Sequence, residues 1–375
     1  MENIRRVQLS EIAEFITKGT TPTTLGYEFQ EEGVNFLKIE CFDENGDFVE
    51  SKATHISNEC HERLKRSQLK SGDILFSIAG VIGRVASVTE DMLPANTNQA
   101  LAIIRISDEQ VYLPYVKLIL TSPIVIEQFE KKKQGVAQLN LSLKDISEFS
   151  IPLPSKKEQI ELAELFTKII NVISKRKEEL KALDDIIKAR FVEMFVKNEY
   201  DWKEVTIAEV CIDMRTGPFG SSLHHDEFVD KGVFVLGIDN AVENTFSYNR
   251  MRYITEEKYE KLKRYTVYPG DVIITIMGTV GKAAVIPKNM PKAINTKHLA
   301  CLTPNTEIVD SYFLVNAFQI HPLIRHQLES QCKGAIMDGL NLTIIKGLKF
   351  KLPPIKLQRK FVEFYNQVNK SKVVA

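Results

Sequence analysis

The amino-acid sequence contains one long internal repeat, and this repeat constrains the fold more than any other feature. At an offset of 198 residues, segment 69–84 matches 267–282, and segment 9–12 matches 207–210. Many positions stay in register over a length that is too great for a solenoid repeat. We therefore infer a duplicated domain of about 150 residues, followed in each copy by a helix.

The repeat divides the 375 residues into four predicted parts. Residues 1–152 form a first domain and 201–352 a second, and each is long enough to bury its own core. Residues 153–200 are predicted to form a long spacer helix, and 353–375 a short C-terminal one.

Both copies show the same pattern of predicted strands. Apolar runs at 74–78 and 272–276 follow a Gly-Asp pair, and each leads through a G-x-x-G turn to a second run, at 85–88 and 283–286. This pattern is typical of a β-hairpin. A further strand is predicted at 103–106.

Amphipathic helices are predicted at 114–133 and 311–331. Together with the strands, they predict a mixed α/β (α+β) domain in each copy, with a curved sheet and peripheral helices.

Residues 156–197 contain neither Gly nor Pro, and apolar residues recur there at spacings of three and four. They predict one amphipathic helix about 60 Å long. An apolar stripe of that length needs a partner helix, and the shorter segment 356–372 is the obvious one. The predicted helix-packing and subunit-docking residues are Leu162, Leu165, Ile169, Ile173, Leu180, Leu183, Ile187, Phe361, Phe364 and Tyr365.

The composition argues against a nucleic-acid coating protein, a secreted protein and a membrane protein. The 49 Lys and Arg balance the 49 Asp and Glu, which argues against coating nucleic acid by bulk charge but allows a local basic face. Five cysteines without a C-x-x-C pair predict a reducing, cytoplasmic location. We find no signal peptide and no apolar run of membrane-spanning length.

Motifs of common catalytic sites are missing from the sequence. It has no P-loop, no dinucleotide-binding G-x-G-x-x-G and no H-E-x-x-H. The sequence His224-His225-Asp226 resembles a ligand set, but the first copy has no equivalent. We therefore predict neither a catalytic residue nor a metal site.

The G-x-x-G turns at 80–83 and 278–281 allow two interpretations. They could be hairpin turns that need positive φ, or they could clamp a nucleic-acid backbone. Both copies place a cation directly after the turn, Arg84 or Lys282, where it could reach a phosphate.

Two polar loops share their position but not their content between copies: 19–24 with 217–222, and 96–99 with 294–298. Such side chains read base edges, so the divergence fits two different half-sites, although simple loop drift would also produce it. The candidate DNA-binding residues are Lys18, Thr20, Thr21, Thr23, Lys38, Ser77, Arg84, Asn96, Asn98 and Gln99 in the first copy, and Arg215, Ser221, Ser222, His224, Asn240, Thr279, Lys282, Asn295, Lys297 and His298 in the second.

The order of these motifs resembles the specificity subunit of type I restriction-modification enzymes over nearly the whole chain. The resemblance rests on the V-x-L-x-E-I-like openings at 7–12 and 205–210, the paired Gly-Asp segments, and the L-N-L near each domain's end. It also rests on the P-x-x-x-E-Q and P-x-x-x-x-Q sequences that precede the helices.

The resemblance implies two target recognition domains, separated by antiparallel, coiled-coil-like helices in a pseudo-two-fold arrangement. Each domain would read one half of a bipartite, asymmetric target in double-stranded DNA. The helices would dock two methyltransferase subunits, and restriction subunits would join through that complex. No catalysis is expected of this chain, because S-adenosylmethionine, ATP and Mg would be bound by the partners. The short second helix departs from the family pattern.

The sequence is also compatible with two other functions. The chain could be the specificity part of a fused methyltransferase or nuclease, or a protein-interaction scaffold without a role in DNA binding.

Overall fold

The computed structural model describes residues 4–43, 46–131, 140–197, 201–219, 222–332 and 340–374. The chain divides after Ser174 into two compact units, called unit 1 and unit 2. Within the described residues, no helix combines the length and the apolar character that crossing a membrane would require.

Unit 1 contains nine strands and five helices among its described residues, together with the first half of a sixth helix. The strands are β1 (Arg6–Gln8), β2 (Phe15–Lys18), β3 (Val34–Leu37), β4 (Thr54–Ile56), β5 (Ile74–Ser77), β6 (Val85–Ser87), β7 (Ala95–Thr97), β8 (Leu101–Arg105) and β9 (Ser150–Pro152). The helices are α1 (Leu9–Ile12), α2 (Asn58–Arg63), α3 (Leu113–Leu120), α4 (Pro123–Glu130), α5 (Leu143–Ser147) and the long α6 (Lys156–Phe195).

The strands of unit 1 form an antiparallel sheet in the order β2-β8-β5-β6 and a second sheet in the order β4-β3-β7, in which β3 and β7 are parallel. Strand β5 is buried on both faces. Ile74 and Phe76 belong to the core beneath the helices, whereas Leu75 belongs to the core shared with the second sheet. This double burial explains the uninterrupted apolar run, because successive side chains of a strand point to opposite faces.

Unit 2 repeats this plan. Its strands are β10 (Glu204–Thr206), β11 (Cys211–Thr216), β12 (Val233–Leu236), β13 (Tyr253–Ile254), β14 (Thr266–Val267), β15 (Val272–Thr275), β16 (Ala283–Val285), β17 (Ala293–Asn295), β18 (Leu299–Pro304) and β19 (Lys349–Lys351). Its helices are α7 (Glu256–Leu262), α8 (Ser311–Ile320), α9 (Pro322–Cys332), α10 (Leu342–Gly347) and α11 (Ile355–Val374). The sheets run β11-β18-β15-β16 and β13-β12-β17-β14. The two predicted hairpins are confirmed as β5–β6 and β15–β16.

The predicted helices at 114–133 and 311–331 are wrong as single helices. Each is divided in two, by Ser122-Pro123 between α3 and α4 and by His321-Pro322 between α8 and α9. Proline has no N–H for the helical bond and disfavours helical backbone in the residue before it, so each helix ends and a new one begins.

A glutamine in the first turn of α6 and another in the first turn of α11 have the same role in both units. The Gln159 side chain accepts a hydrogen bond from Tyr112 N at 2.9 Å and donates one to Pro154 O at 2.9 Å. The Gln358 side chain accepts from Asp310 N at 2.9 Å and donates to Pro353 O at 2.7 Å. Both glutamines are buried, so the repeated sequence motif fixes the start of each helix against its own unit.

Helix α6 spans 40 residues, about 60 Å, whereas α11 spans 20, about 30 Å. The C-terminal part of α6 packs on α11 in the core of unit 2, as the sequence predicted for this pair of helices. The Phe191 ring lies 5.3 Å from the Phe361 ring, measured between centroids.

Candidate nucleic-acid interface

Several loops of unit 1 meet at one edge of its four-stranded sheet. Strands β2 and β5 end at this edge, and β8 and β6 begin there, since Ser77 pairs with Leu101 and Lys18 with Ala102. The parallel strands β3 and β7 also end there. Gly19, directly after β2, lies against Thr97 at the end of β7, and Thr97 Oγ1 donates to Leu37 O at the end of β3 at 2.7 Å. We call these loops the loop edge of unit 1; it comprises residues 18–24, 38, 78–84 and 98–99.

The two predicted polar loops are in direct contact at the loop edge of unit 1. Thr20 N donates to Thr97 O at 3.1 Å, and Thr21 Oγ1 donates to Gln99 Oε1. A Cβ on Gly19 would lie 2.0 Å from Thr97 O, so only glycine permits this approach.

Most of the predicted residues at this edge reach solvent. Lys18, Thr23 and Gln99 are exposed, and Thr20 and Thr21 are half-buried. Lys38 is half-buried, with its ammonium 4.4 Å from the centroid of the Phe29 ring. Asn98 is also half-buried, and its Oδ1 accepts from Ala100 N at 3.1 Å, which shapes the loop.

The equivalent edge of unit 2, called the loop edge of unit 2, comprises residues 217–219, 237–239, 277–282 and 296–298. Ile276 N donates to His298 O at 2.9 Å, and Thr296 N donates to Leu236 O at 3.0 Å. A Cβ on Gly217 would lie 2.3 Å from Asn295 O, which repeats the close approach of unit 1.

The predicted residues of this edge differ in exposure. Thr279 and Lys297 are exposed, and Lys282 and His298 are half-buried. Burial lowers the pKa of His298, and the charges of Lys297 and Arg252 lower it further. The neutral imidazole can donate one hydrogen bond and accept another.

Two further candidates of unit 2 lie at the end of loop 217–222 and just after it. Ser222 is half-buried, and His224 is exposed, with its backbone N donating to Glu227 Oε2 at 2.7 Å. Ser221 lies outside the described residues. Apart from the gaps in the described ranges, no three His, Cys, Asp or Glu side chains are grouped as metal ligands.

The G-x-x-G segments are hairpin turns in both units. The four glycines have φ between 71° and 88°, a region that favours glycine. A hydroxyl closes each turn: Ser77 Oγ donates to Val81 O and accepts from Arg84 N, and Thr275 Oγ1 does the same with Thr279 and Lys282. Ser77 is fully buried, so its prediction as a DNA contact is corrected to a turn-forming role.

Arg84 lines a cavity of about 800 Å³ within unit 1. Asp43 and Asp47 line the same cavity, as does residue Thr167 of α6. Arg84 is half-buried, and it shares this cavity with two acidic residues.

Three asparagines predicted as DNA contacts are fully buried. Asn96 Nδ2 donates to Leu64 O at 3.0 Å, Asn240 Oδ1 accepts from Gly237 N at 2.8 Å, and Asn295 Nδ2 donates to Leu299 O at 2.9 Å. Their amides hold loop backbone in place. These predictions are corrected, because a buried amide cannot reach a base edge.

Arg215 is likewise corrected to a structural residue. It is mostly buried and forms an ion pair with Asp271, with 2.8 Å between Nη2 and Oδ2. In unit 1 the equivalent carboxylate, Asp73, is paired at 2.6 Å by Arg105, which comes from the neighbouring strand. At an offset of 198, the arginine of each unit aligns with a threonine of the other. The two units therefore neutralise equivalent buried aspartates with arginines from different strands.

The apolar face of α6 is divided between buried and exposed residues. Leu183 and Ile187 pack in unit 2 with Phe361, Phe364 and Tyr365, and Leu162 packs partly in unit 1. Leu165, Ile169, Ile173 and Leu180 are exposed, as are Phe166, Ile170 and Val172, with exposed fractions from 37% for Leu180 to 59% for Val172. We call residues 165–173 the exposed stripe of α6. The sequence had not separated these two groups.

Comparison with known proteins identifies the family. A family model for the type I restriction modification DNA specificity domain matches residues 1–182 and 199–373. The chain belongs to this family. The specificity subunit of the Escherichia coli type I restriction enzyme EcoBI is 34% identical over 133 residues, which is 35% of this chain and 27% of that subunit. The aligned part therefore spans about a quarter of that relative's length.

Two solved structures share the fold of this family member. The S subunit of the type I restriction-modification system of M. genitalium aligns with a TM-score of 0.54 at 15% identity, covering 99% of this chain and 91% of that one. A chain from a structure that describes complex assembly and conformational transition of the type I R-M system aligns with a TM-score of 0.57 at 19% identity, with the same coverage.

Proposed function

We propose that this chain is the DNA sequence-specificity subunit of a type I restriction-modification enzyme, and that each unit reads one half of a bipartite, asymmetric target. The observation that carries the proposal is the pair of loop edges. Two copies of one fold present the same edge with different polar side chains. A duplicated scaffold with divergent loops is suited to reading two different half-sites, because base edges are distinguished by hydrogen-bonding side chains.

Each loop edge offers a small set of accessible side chains for this role. In unit 1 they include Thr21, Gln99 and Lys38, and in unit 2 they include Lys297 and His298. The hydroxyl, amide and imidazole groups would read bases, while the lysines would contact phosphates.

We propose that the exposed stripe of α6 docks methyltransferase subunits, two per complex, and that restriction subunits join through them. Large apolar side chains in a continuous row are typical of a protein-binding surface. S-adenosylmethionine, ATP and Mg would be bound by those partners, and the chain itself would do no chemistry.

Genome-wide methylation tests the first proposal. The chain is co-expressed with methyltransferase subunits encoded beside it, and methylated adenines are mapped across the host genome. We expect one bipartite motif, and exchanging residues 1–152 for those of another family member should change only one half of it. A change in both halves would contradict modular reading, and no methylation with any partner would favour the scaffold alternative.

Charge substitutions on α6 test the docking proposal. Ile169→Asp with Ile173→Asp places two carboxylates in the exposed stripe and should abolish co-purification with the methyltransferase subunit. Lys175→Asp is the matched control, because at 3.6 residues per turn it lies toward the charged face of the same helix. Equal loss of co-purification in both variants would argue against a defined docking surface.

A further inference from the structure

Apolar and polar side chains exchange places between the two loop edges. At an offset of 198, Phe219 aligns with Thr21, and Met277 with Ala79. Phe219 is 55% exposed and Met277 42%. Conversely, Val81 of unit 1 is 61% exposed and aligns with Thr279. Phe219 therefore has no large exposed apolar counterpart in loop 18–24 of unit 1, whereas Met277 and Val81 occupy different positions of equivalent hairpin loops.

Phe219 and Met277 flank the accessible polar residues of unit 2. Phe219 lies two residues after Gly217, which is held against the backbone of Asn295 and Thr296. Met277 directly follows Ile276, whose N donates to His298 O. Both apolar side chains are therefore carried on loops that are held beside residues 296–298.

On the basis of the proposed function, we propose that Phe219, together with Met277 of the β15–β16 loop, reads the 5-methyl group of a thymine in the half-site of unit 2. In the major groove that methyl is the apolar feature that distinguishes thymine, and phenylalanine is among the side chains that contact it. Covering an exposed phenyl ring with such a group removes apolar surface from water, which lowers the free energy of the complex.

This proposal differs from insertion of the ring as a wedge between base pairs from the minor groove. The 5-methyl group projects into the major groove alone. Replacing thymine by uracil removes the methyl and leaves the minor-groove edge unchanged, so the substitution separates the two modes of contact.

The test uses the complex of this chain with its methyltransferase subunits and the target motif found by methylation mapping. Duplexes carry uracil in place of one thymine at a time in the half-site assigned to unit 2 by domain exchange, and affinities are measured at fixed salt. For the wild-type complex, uracil at one position should weaken binding about fourfold, the effect of one buried methyl-sized group.

The Phe219→Ala complex should bind the thymine duplex more weakly and show no further loss with uracil. The same scan with Met277→Ala should show a smaller loss of sensitivity at that position. Ile212→Ala is the control, because Ile212 is 73% exposed but lies near the opposite end of β11 from the loop edge. This variant should keep wild-type affinity and uracil sensitivity.

The proposal is overturned if uracil has no effect at any position, if the Phe219→Ala complex keeps full uracil sensitivity, or if the half-site contains no A·T pair. Each of these results leaves the specificity function intact, because the complex still methylates a bipartite motif. A complex that methylates no motif would instead refute the proposed function.

Discussion

Replacing Phe191 by alanine should loosen the contact between α6 and α11 in unit 2. Phe191 is fully buried. Its ring lies 4.9 Å from that of Phe195, 5.7 Å from that of Phe313 and 5.3 Å from that of Phe361, measured between centroids. These rings come from three helices, α6, α8 and α11.

The expected size of the effect follows from this packing. Phe→Ala in a core costs about 3–5 kcal/mol, and the cost increases when the surrounding groups cannot fill the cavity. Because three separate helices line this site, we expect about 4 kcal/mol or more. Ile186→Ala, on the part of the same helix that belongs to unit 2, removes an exposed side chain and should change the free energy of unfolding by no more than about 0.5 kcal/mol.

Hydrogen exchange of the α11 amides measures this difference locally, and urea unfolding measures it for unit 2. A loss of 4 kcal/mol should accelerate exchange of the most protected α11 amides by about a thousandfold. In a double-mutant cycle with Phe361→Ala, we expect a coupling of about 0.5–3 kcal/mol. Equal costs for Phe191→Ala and Ile186→Ala, or no change in α11 protection, would refute the separation of buried and exposed faces.

Four further substitutions probe unit 2, each followed by urea unfolding. Asp271→Asn removes the buried one of the two carboxylates that pair with Arg215, the other being the half-exposed Asp213, and should cost up to about 3 kcal/mol. Gly217→Ala forces a Cβ to within 2.3 Å of backbone oxygen and should cost about 1–3 kcal/mol or more, whereas Gly347→Ala meets open space and should stabilise by up to about 1 kcal/mol. Burial lowers the pKa of His321, so the unfolded chain takes up the proton first. Stability should therefore fall as pH drops below about 6.5, and His321→Gln should reduce that dependence.

The hairpins and the long helix were predictable from the sequence because their signals are local. A Gly-Asp pair, an apolar run and a G-x-x-G turn together specify β5–β6 without information from elsewhere in the chain. The division between α3 and α4 was missed because the apolar spacing continues across Pro123. Local backbone restriction at Ser122-Pro123 outweighed that spacing.

The positions of the loops were predictable, but the roles of individual polar residues were not. An asparagine in a loop can read a base or bind its own backbone with the same amide group. Burial decides between these roles, and it depends on packing that no local pattern records. The structural role of Arg215 could have been predicted from the repeat. Arg215 aligns with Thr17, and Arg105 aligns with Thr303, as expected if the two arginines neutralise equivalent aspartates.

The internal repeat also indicates which kind of helix would pack against the exposed stripe. At the offset of 199 that aligns Gln159 with Gln358, Leu162, Leu165 and Ile169 align with Phe361, Phe364 and Val368, which pack on residues 183–195. An amphipathic helix with apolar residues spaced as at 183, 187, 191 and 194 is therefore the natural complement of the stripe. A methyltransferase subunit that presents such a helix would be held by the same packing that holds α6 to α11.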